Sequence, residues 1–386
     1  MTTGAETSVR PFRLAVDDAM VADLKARLRL ARWPDEAPAP AWSYGTSLAF
    51  MRDLTDHWLN RYDWRATEAA LNAFPQFKTS IDDIDVHFLR VEGRGPNPRP
   101  LLLSHGWPGS ILEFLKLIPL LTDPAAHGGD AKDAFTVVAP SLPGYTLSFR
   151  PNQPRKSIQE VGAIVDALMI RLGYSRYCAQ GGDWGAFVTG WLGANRAEHL
   201  VGIHLNLLPL ARDRAMYANP TEEEKRYIDD LEKRWLKEET GYQWIQGTRP
   251  QTLAFGLSDS PVGLAAWISE KYRQWTDCDG DPRNALSMDE MLGNISLYWF
   301  TNCINTSFWP YYARMHGPWP VETKIGVPMG YCDFPRENIR PPRVAAERMF
   351  GDIRRWSAMK KGGHFAALEQ PDALAHEIRE FFRSLA

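Results

Sequence analysis

From Ile84 onward the chain alternates short apolar runs with segments of helical spacing, and this order of elements constrains the fold more than any other feature. Ile84–Val91 alternates at period two. A Gly/Pro-rich turn from Glu92 to Arg99 then leads to the solid run Leu101-Leu102-Leu103, so the pattern predicts a strand, a hairpin turn and a buried strand. Helix is expected over 111–121 and strand over 135–139. Ser157-Ile158-Gln159-Glu160 reads as a capping box that opens a helix to Leu172. Strand, helix and strand follow at 177–180, 184–194 and 200–207. Strands separated by helices at this spacing belong to a mostly parallel sheet covered on both faces.

The alternation then stops for about a hundred residues. Between Pro209 and about His316 the spacing is helical, with two more capping boxes, Thr221-Glu222-Glu223-Glu224 and Ser287-Met288-Asp289-Glu290. Strands resume at 327–331 and 355–359, and a last helix carries Pro371 at its first position. A helical block inserted into an α/β sheet is a lid. Ahead of the sheet, Asp17 or Asp18 caps a helix with Met20, Leu24, Leu28 and Ala31 at helical spacing that stops at Arg32-Trp33-Pro34, and a second helix covers 46–62. The expected division is an N-terminal helical meander at 1–80, an α/β core at 81–208 and 319–386, and a helical cap at 209–318.

Composition removes several function classes. With 386 residues, 44% hydrophobic and 24% charged, the chain has enough apolar surface for such a core. A formal charge of -3 without any dense Lys/Arg block argues against nucleic acid or an anionic membrane as partner. The longest apolar candidate, 111–121, is broken by Glu113 and Lys116, and the first residues lack the apolar core of a signal peptide, so a soluble, cytoplasmic protein is expected. Cys178, Cys278, Cys303 and Cys332 lie too far apart to form a metal-binding pair and are expected to be free, buried and reduced; neither metal nor cofactor is implied.

The chemistry centres on Gly181-Gly182-Asp183-Trp184-Gly185, which places Asp between a predicted strand and a predicted helix with small residues two before and two after it. That is the context of a nucleophile elbow, where strand and helix backbones nearly touch and the central side chain is thrust outward. On these five residues alone Asp183 is equally a helix cap. Three other segments decide the matter. Ser104-His105-Gly106-Trp107-Pro108-Gly109 follows the first buried strand, where an oxyanion hole would draw one backbone N–H from Trp107 and a second from Trp184. His105, with Gly106 and Pro108, is expected to orient this loop rather than to react. Lys361-Gly362-Gly363-His364-Phe365 follows the last strand, and Glu337 lies in the loop after the strand before it. The order nucleophile, acid, base is then Asp183, Glu337, His364. Of nine histidines, His364 alone sits on a glycine-flanked loop at the expected strand end. A carboxylate at the elbow attacks an sp3 carbon bearing a strained or good leaving group and becomes an ester, which water activated by His364 can cleave. Epoxides and alkyl halides fit this better than peptides.

With these segments the sequence resembles the microsomal-type epoxide hydrolases, α/β-hydrolase folds with an N-terminal meander. The resemblance also covers Asp259-Ser260-Pro261-Val262-Gly263-Leu264-Ala265-Ala266-Trp267 and Gly362-Gly363-His364-Phe365-Ala366-Ala367, and it runs from about Val9 to the C-terminus. It implies a cis Trp107-Pro108 bond and two cap tyrosines that protonate the epoxide oxygen, matched by Tyr242 and Tyr312, with Tyr311 the alternative register. It also favours Glu337 over Asp333 as the acid, and implies a small apolar epoxide and water as substrates, no cofactor, and a homodimer as a possible assembly. Two other readings stand beside it. One is a haloalkane dehalogenase, using the same Asp with Trp184 as a halide donor; the other is a non-catalytic receptor on a hydrolase fold, which a broken triad would betray. Among fifteen tryptophans, Trp244, Trp267, Trp299 and Trp309 fall in the cap, and Trp33 and Trp64 are expected to fasten the meander to the core.

Overall fold

The computed structural model describes residues 8–210 and 214–385. Nine strands form one sheet: β1 (Arg10–Phe12), β2 (Gln76–Ile81), β3 (Ile84–Val91), β4 (Arg99–Ser104), β5 (Phe135–Pro140), β6 (Tyr177–Gly181), β7 (Leu200–Leu205), β8 (Met329–Asp333) and β9 (Ile353–Ala358). Their order is β1-β2-β3-β5-β4-β6-β7-β8-β9. All pairs from β5 to β9 are parallel, and those joining β1, β2, β3 and β5 are antiparallel. Every residue of β5 and β6 is buried, as central parallel strands covered on both faces require. This is the mostly parallel sheet expected from the alternation, in the α/β-hydrolase arrangement that the resemblance implies.

Two local expectations are corrected. The Gly/Pro turn after β3 does not close a hairpin, because β3 pairs with β5 while β4 lies between β5 and β6. The hairpin is instead β2–β3, turning at Asp82 and Asp83, whose φ angles of 49° and 62° suit a tight two-residue turn. The meander boundary expected at residue 80 therefore falls inside β2. The segment 111–121 is also not one helix. A 3-10 turn at Ile111–Phe114 is followed by a short helix at Leu117–Thr122. Pro119, with no N–H to give and a ring that blocks a preceding turn, is tolerated only at the start of a helix, so the helix begins anew beside it.

A helical block lies between β7 and β8, with its longest helices at Pro261–Trp275 and Met288–Thr301. All three predicted capping boxes form, at Ser157/Glu160, Thr221/Glu224 and Ser287/Glu290. Helices Asp18–Arg29, Leu48–Asn60 and Trp64–Asn72 of the meander pack on this block. Trp58 donates its indole N–H to Ser296 Oγ at 3.0 Å, and Trp64 meets Phe300 edge-on with centroids 4.8 Å apart. Trp64 therefore fastens the meander chiefly to the cap, while Trp33 lies under the Arg52 guanidinium. The four cysteines are free and buried. Among the described residues no helix is long and apolar enough to cross a membrane.

Candidate active site

The chain leaves β4 toward β5 on one side and reaches β6 on the other, so the C-terminal ends of β4 and β6 flank a crevice where the strand order reverses. His105 and Asp183 stand at its two sides. Asp183 has a φ of +48°, a left-handed conformation held by the packing around it. A Cβ on Gly181 would lie 2.1 Å from Gly185 O, and one on Gly185 would lie 1.9 Å from Ser104 O. Only glycine lets the backbones approach so closely. Gly106 is bare for the same reason, since a Cβ there would come within 2.1 Å of Asp183 Oδ1. The Trp107-Pro108 bond is cis, and Trp107 N donates to Asp183 Oδ1 at 2.7 Å. Trp184, second residue of the helix Asp183–Asn195, presents a backbone N–H with no helical carbonyl to bond. His105 donates from Nδ1 to Gly106 O at 3.1 Å and accepts the Leu142 N–H at Nε2, also 3.1 Å away. Burial pushes it down to about 4, so it stays a neutral brace of the loop.

His364 Nε2 stands 3.2 Å from Asp183 Oδ2, and its Nδ1 donates to Glu337 Oε1 at 2.6 Å. Burial works against a charged imidazole here, but Glu337 and Asp183 outweigh it and hold His364 well above its ordinary value. Asp333 turns away, bound bidentately by Arg340 at 2.6 and 2.8 Å. Of the two candidate acids, Glu337 is thus the one beside the histidine.

The cap closes over the carboxylate with an aromatic wall. Tyr242 stacks on Trp107 at 5.3 Å with 12° between the planes, and Tyr311 stands edge-on to Trp107 at 5.8 Å, Trp184 at 4.9 Å and Tyr242 at 5.5 Å. Burial first, and the Asp183 charge in addition, raise both phenols, so each stays protonated beside the carboxylate. Gln243 Nε2 donates to the Tyr242 oxygen at 3.0 Å, and Arg314 donates to Gln243 Oε1 at 2.7 Å, which leaves the Tyr242 O–H to point elsewhere. Tyr312 is a correction. It is half-buried on the other side of helix Trp309–His316, stacked between Trp309 at 4.7 Å and His316 at 4.0 Å, and it is Tyr311 that joins Tyr242. One residue along a helix is a rotation of about 100°, enough to exchange the site for the surface.

The chain is similar to known proteins along nearly its whole length. A family model described as "Epoxide hydrolase N terminus" matches residues 9–114, and one for the alpha/beta hydrolase fold matches 99–229. A putative epoxide hydrolase of Stigmatella aurantiaca is 45% identical over 377 residues, covering 98% of this chain and 85% of that protein. Epoxide hydrolase 1 of Sus scrofa is 35% identical over 97% of this chain and 89% of its own length. The chain belongs to the microsomal-type epoxide hydrolase family. Among solved structures, the juvenile hormone epoxide hydrolase of the silkworm Bombyx mori superposes with a TM-score of 0.89 at 30% identity, covering 100% of this chain and 97% of that one. The Aspergillus niger epoxide hydrolase gives 0.85 at 30% identity, covering 100% and 98%.

Epoxide hydrolysis is the activity this membership gives the chain, and the site contains features that sequence patterns did not single out. Trp275 ends the helix Pro261–Trp275 and packs edge-on against His364 at 5.0 Å. Of the cap tryptophans read from the sequence, Trp244 is 60% exposed. Nothing but position at a helix end could have separated these two. Glu369 accepts three backbone N–H groups, from Asp277, Gly363 and Phe365 at 2.8, 3.0 and 3.0 Å, and so ties the histidine loop to the cap. Lys271, nearly buried beside Glu270, places its ammonium 4.4 Å from the Tyr242 ring centroid. A cleft of about 1140 Å3 opens on the acid side of the triad, lined by Arg234, Glu239, Trp275, Arg336 and Glu337; Asp183 takes no part in it.

Proposed function

We propose that epoxides are opened by Asp183 through a covalent ester. One carboxylate oxygen attacks an epoxide carbon, the C–O bond breaks, and the released oxygen takes a proton from Tyr242 or Tyr311. His364, oriented by Glu337, then draws a proton from water as the water oxygen attacks Asp183 Cγ. The N–H groups of Trp107 and Trp184 stabilise the oxyanion. Collapse breaks the bond from Cγ to the alkyl oxygen and releases a vicinal diol, whose second hydroxyl takes its proton from His364; the proton left on the water-derived carboxyl oxygen then passes to His364, which restores both the carboxylate and the cationic histidine. The observation that carries this reading is the Asp183 carboxylate fixed at 2.7 Å from Trp107 N and 3.2 Å from His364, under two protonated phenols.

Charge sets the timing. While Asp183 is ionised, His364 is held cationic between two carboxylates. Esterification removes one of those charges and lowers the histidine's proton affinity, so that it passes its proton to the tyrosinate left by ring opening and becomes a base only once there is an ester to cleave. Two phenol donors also favour epoxide over alkyl halide, because an alkoxide must be protonated and a halide need not be. The wall of Trp107, Trp184, Trp275, Tyr242, Tyr311 and Phe308 suits a small apolar epoxide. A relative from Bombyx mori is named a juvenile hormone epoxide hydrolase. A single turnover in isotopically labelled water tests the ester: unlabelled oxygen in the first diol is expected, and labelled oxygen there refutes it. A cytoplasmic location and a homodimer belong to the same proposal, tested by cell fractionation and light scattering.

A further inference from the structure

Residues of the triad and of the loop from His105 to Gly109 line a cavity of about 20 Å3, enough for one water molecule. Its walls also include Ser104, Glu113, Gln180 and Asn206 beside Asp183 and His364. Ser104 is 1% exposed and Gln180 2%, yet Ser104 Oγ and Gln180 Oε1 have no partner in the protein. The amide nitrogen of Gln180 is already committed to Asn206 Oδ1 at 2.8 Å, so only its oxygen is free to face the cavity. Buried polar atoms left over in this way call for water, because an unmade hydrogen bond costs the full desolvation of the group.

Glu113 adds a carboxyl to this wall. It sits on the 3-10 turn Ile111–Phe114 and folds back over Gly109, where a Cβ would lie 1.4 Å from Glu113 Oε1. Burial is the largest influence on it and pushes it up to about 8, with Asp183 adding to the rise and His364 opposing it. Its carboxyl also accepts the Ser110 backbone N–H at the start of its own turn, which opposes the rise.

We propose that this cavity is the water site of the second half-reaction, and that Glu113 holds the attacking water by accepting one of its hydrogens while His364 Nε2 takes the other. Ser104 and Gln180 keep the cavity hydrophilic, so water reaches the ester from the core side while the aromatic cap keeps bulk water from the epoxide. The proton lost by the water goes to His364 and then to the leaving alkoxide. Glu113 is unchanged over the cycle and acts only on ester cleavage.

This inference rests on the Asp183 ester, and the test separates the two. Styrene oxide is mixed with excess enzyme in stopped flow, ester formation is followed by mass spectrometry of the acid-quenched peptide containing Asp183, and its decay is timed. In Glu113→Met, ester formation at the normal rate with decay slowed roughly 10- to 100-fold is expected, the scale of one lost hydrogen bond to an activated group. Ser104→Ala, which removes a single oxygen and leaves folding intact, should slow decay several-fold and spare formation. Normal decay in both variants, or equal loss of formation and decay, overturns the water site. Failure of the wild-type enzyme to form any ester on Asp183 would instead overturn the covalent mechanism.

Discussion

Replacing Tyr311 by Phe and, separately, Tyr312 by Phe tests the geometry that sequence register left open. The Tyr311 ring is held edge-on by Trp107, Trp184 and Tyr242, and only 2% of the residue is exposed, so Phe keeps the packing and removes one oxygen. A donor aimed at developing charge in a dry site is worth about 2.7 to 4 kcal/mol. Tyr242 remains as a second donor in the variant, so the lower end applies: about 2.7 kcal/mol, or a loss of about a hundredfold in ring opening. Tyr312 keeps its stack on Trp309 and His316 as Phe, and its half-exposed hydroxyl contributes within about 0.5 kcal/mol. The assay is single-turnover ester formation on Asp183, with near-ultraviolet circular dichroism to confirm native packing. A Tyr312→Phe enzyme slowed as much as Tyr311→Phe would refute the assignment of the cap face.

Three further outcomes are expected. His364→Ala should open the epoxide and then stall, leaving a mass adduct on the peptide containing Asp183; multiple turnovers at the normal rate would remove His364 from the mechanism. Glu337→Gln should cost far more activity than Asp333→Asn, because Glu337 Oε1 accepts the His364 Nδ1 hydrogen bond while Asp333 serves Arg340; kcat/KM of the two variants decides. Stability should fall with acid. Burial holds His105 down to about 4 and His204 down to about 3, and keeps His87 neutral as well. A histidine with a depressed folded value contributes in full above the unfolded value of about 6.5. That stability drains as the pH drops toward the folded value, about 3 kcal/mol for His105 and about 5 kcal/mol for His204. His364 has the opposite sign, its contribution complete below the unfolded value and lost as pH rises through the folded one. Urea unfolding of wild type and His204→Gln from pH 7 to 4 should show a shallower acid loss in the variant; identical slopes would exclude His204.

The parts of this protein written into its sequence are those whose cause is local. Gly181 and Gly185 around Asp183 declare an elbow because backbone atoms would collide with any Cβ there. The capping boxes at Ser157, Thr221 and Ser287 form because each satisfies its own helix end within four residues. The order of strands and helices likewise announces a parallel sheet with an inserted cap. What the sequence did not decide are relations between segments far apart in the chain. The turn after β3 resembles a hairpin, but β3 finds its partner in β5, nearly fifty residues on, since β4 is claimed on both sides by other strands. Tyr311 and Tyr312 are equivalent as letters and differ by which face of one helix meets the core. Glu113 reads as a charge that interrupts an apolar run; only folding brings it beside Asp183 and His364 around one water-sized cavity. The sequence by itself determined the fold and the class of chemistry and singled out Asp183 and His364, because steric and capping rules act over a few residues. The tertiary structure decided which tyrosine and which carboxylates line the candidate site, because burial and direction arise only when distant elements pack.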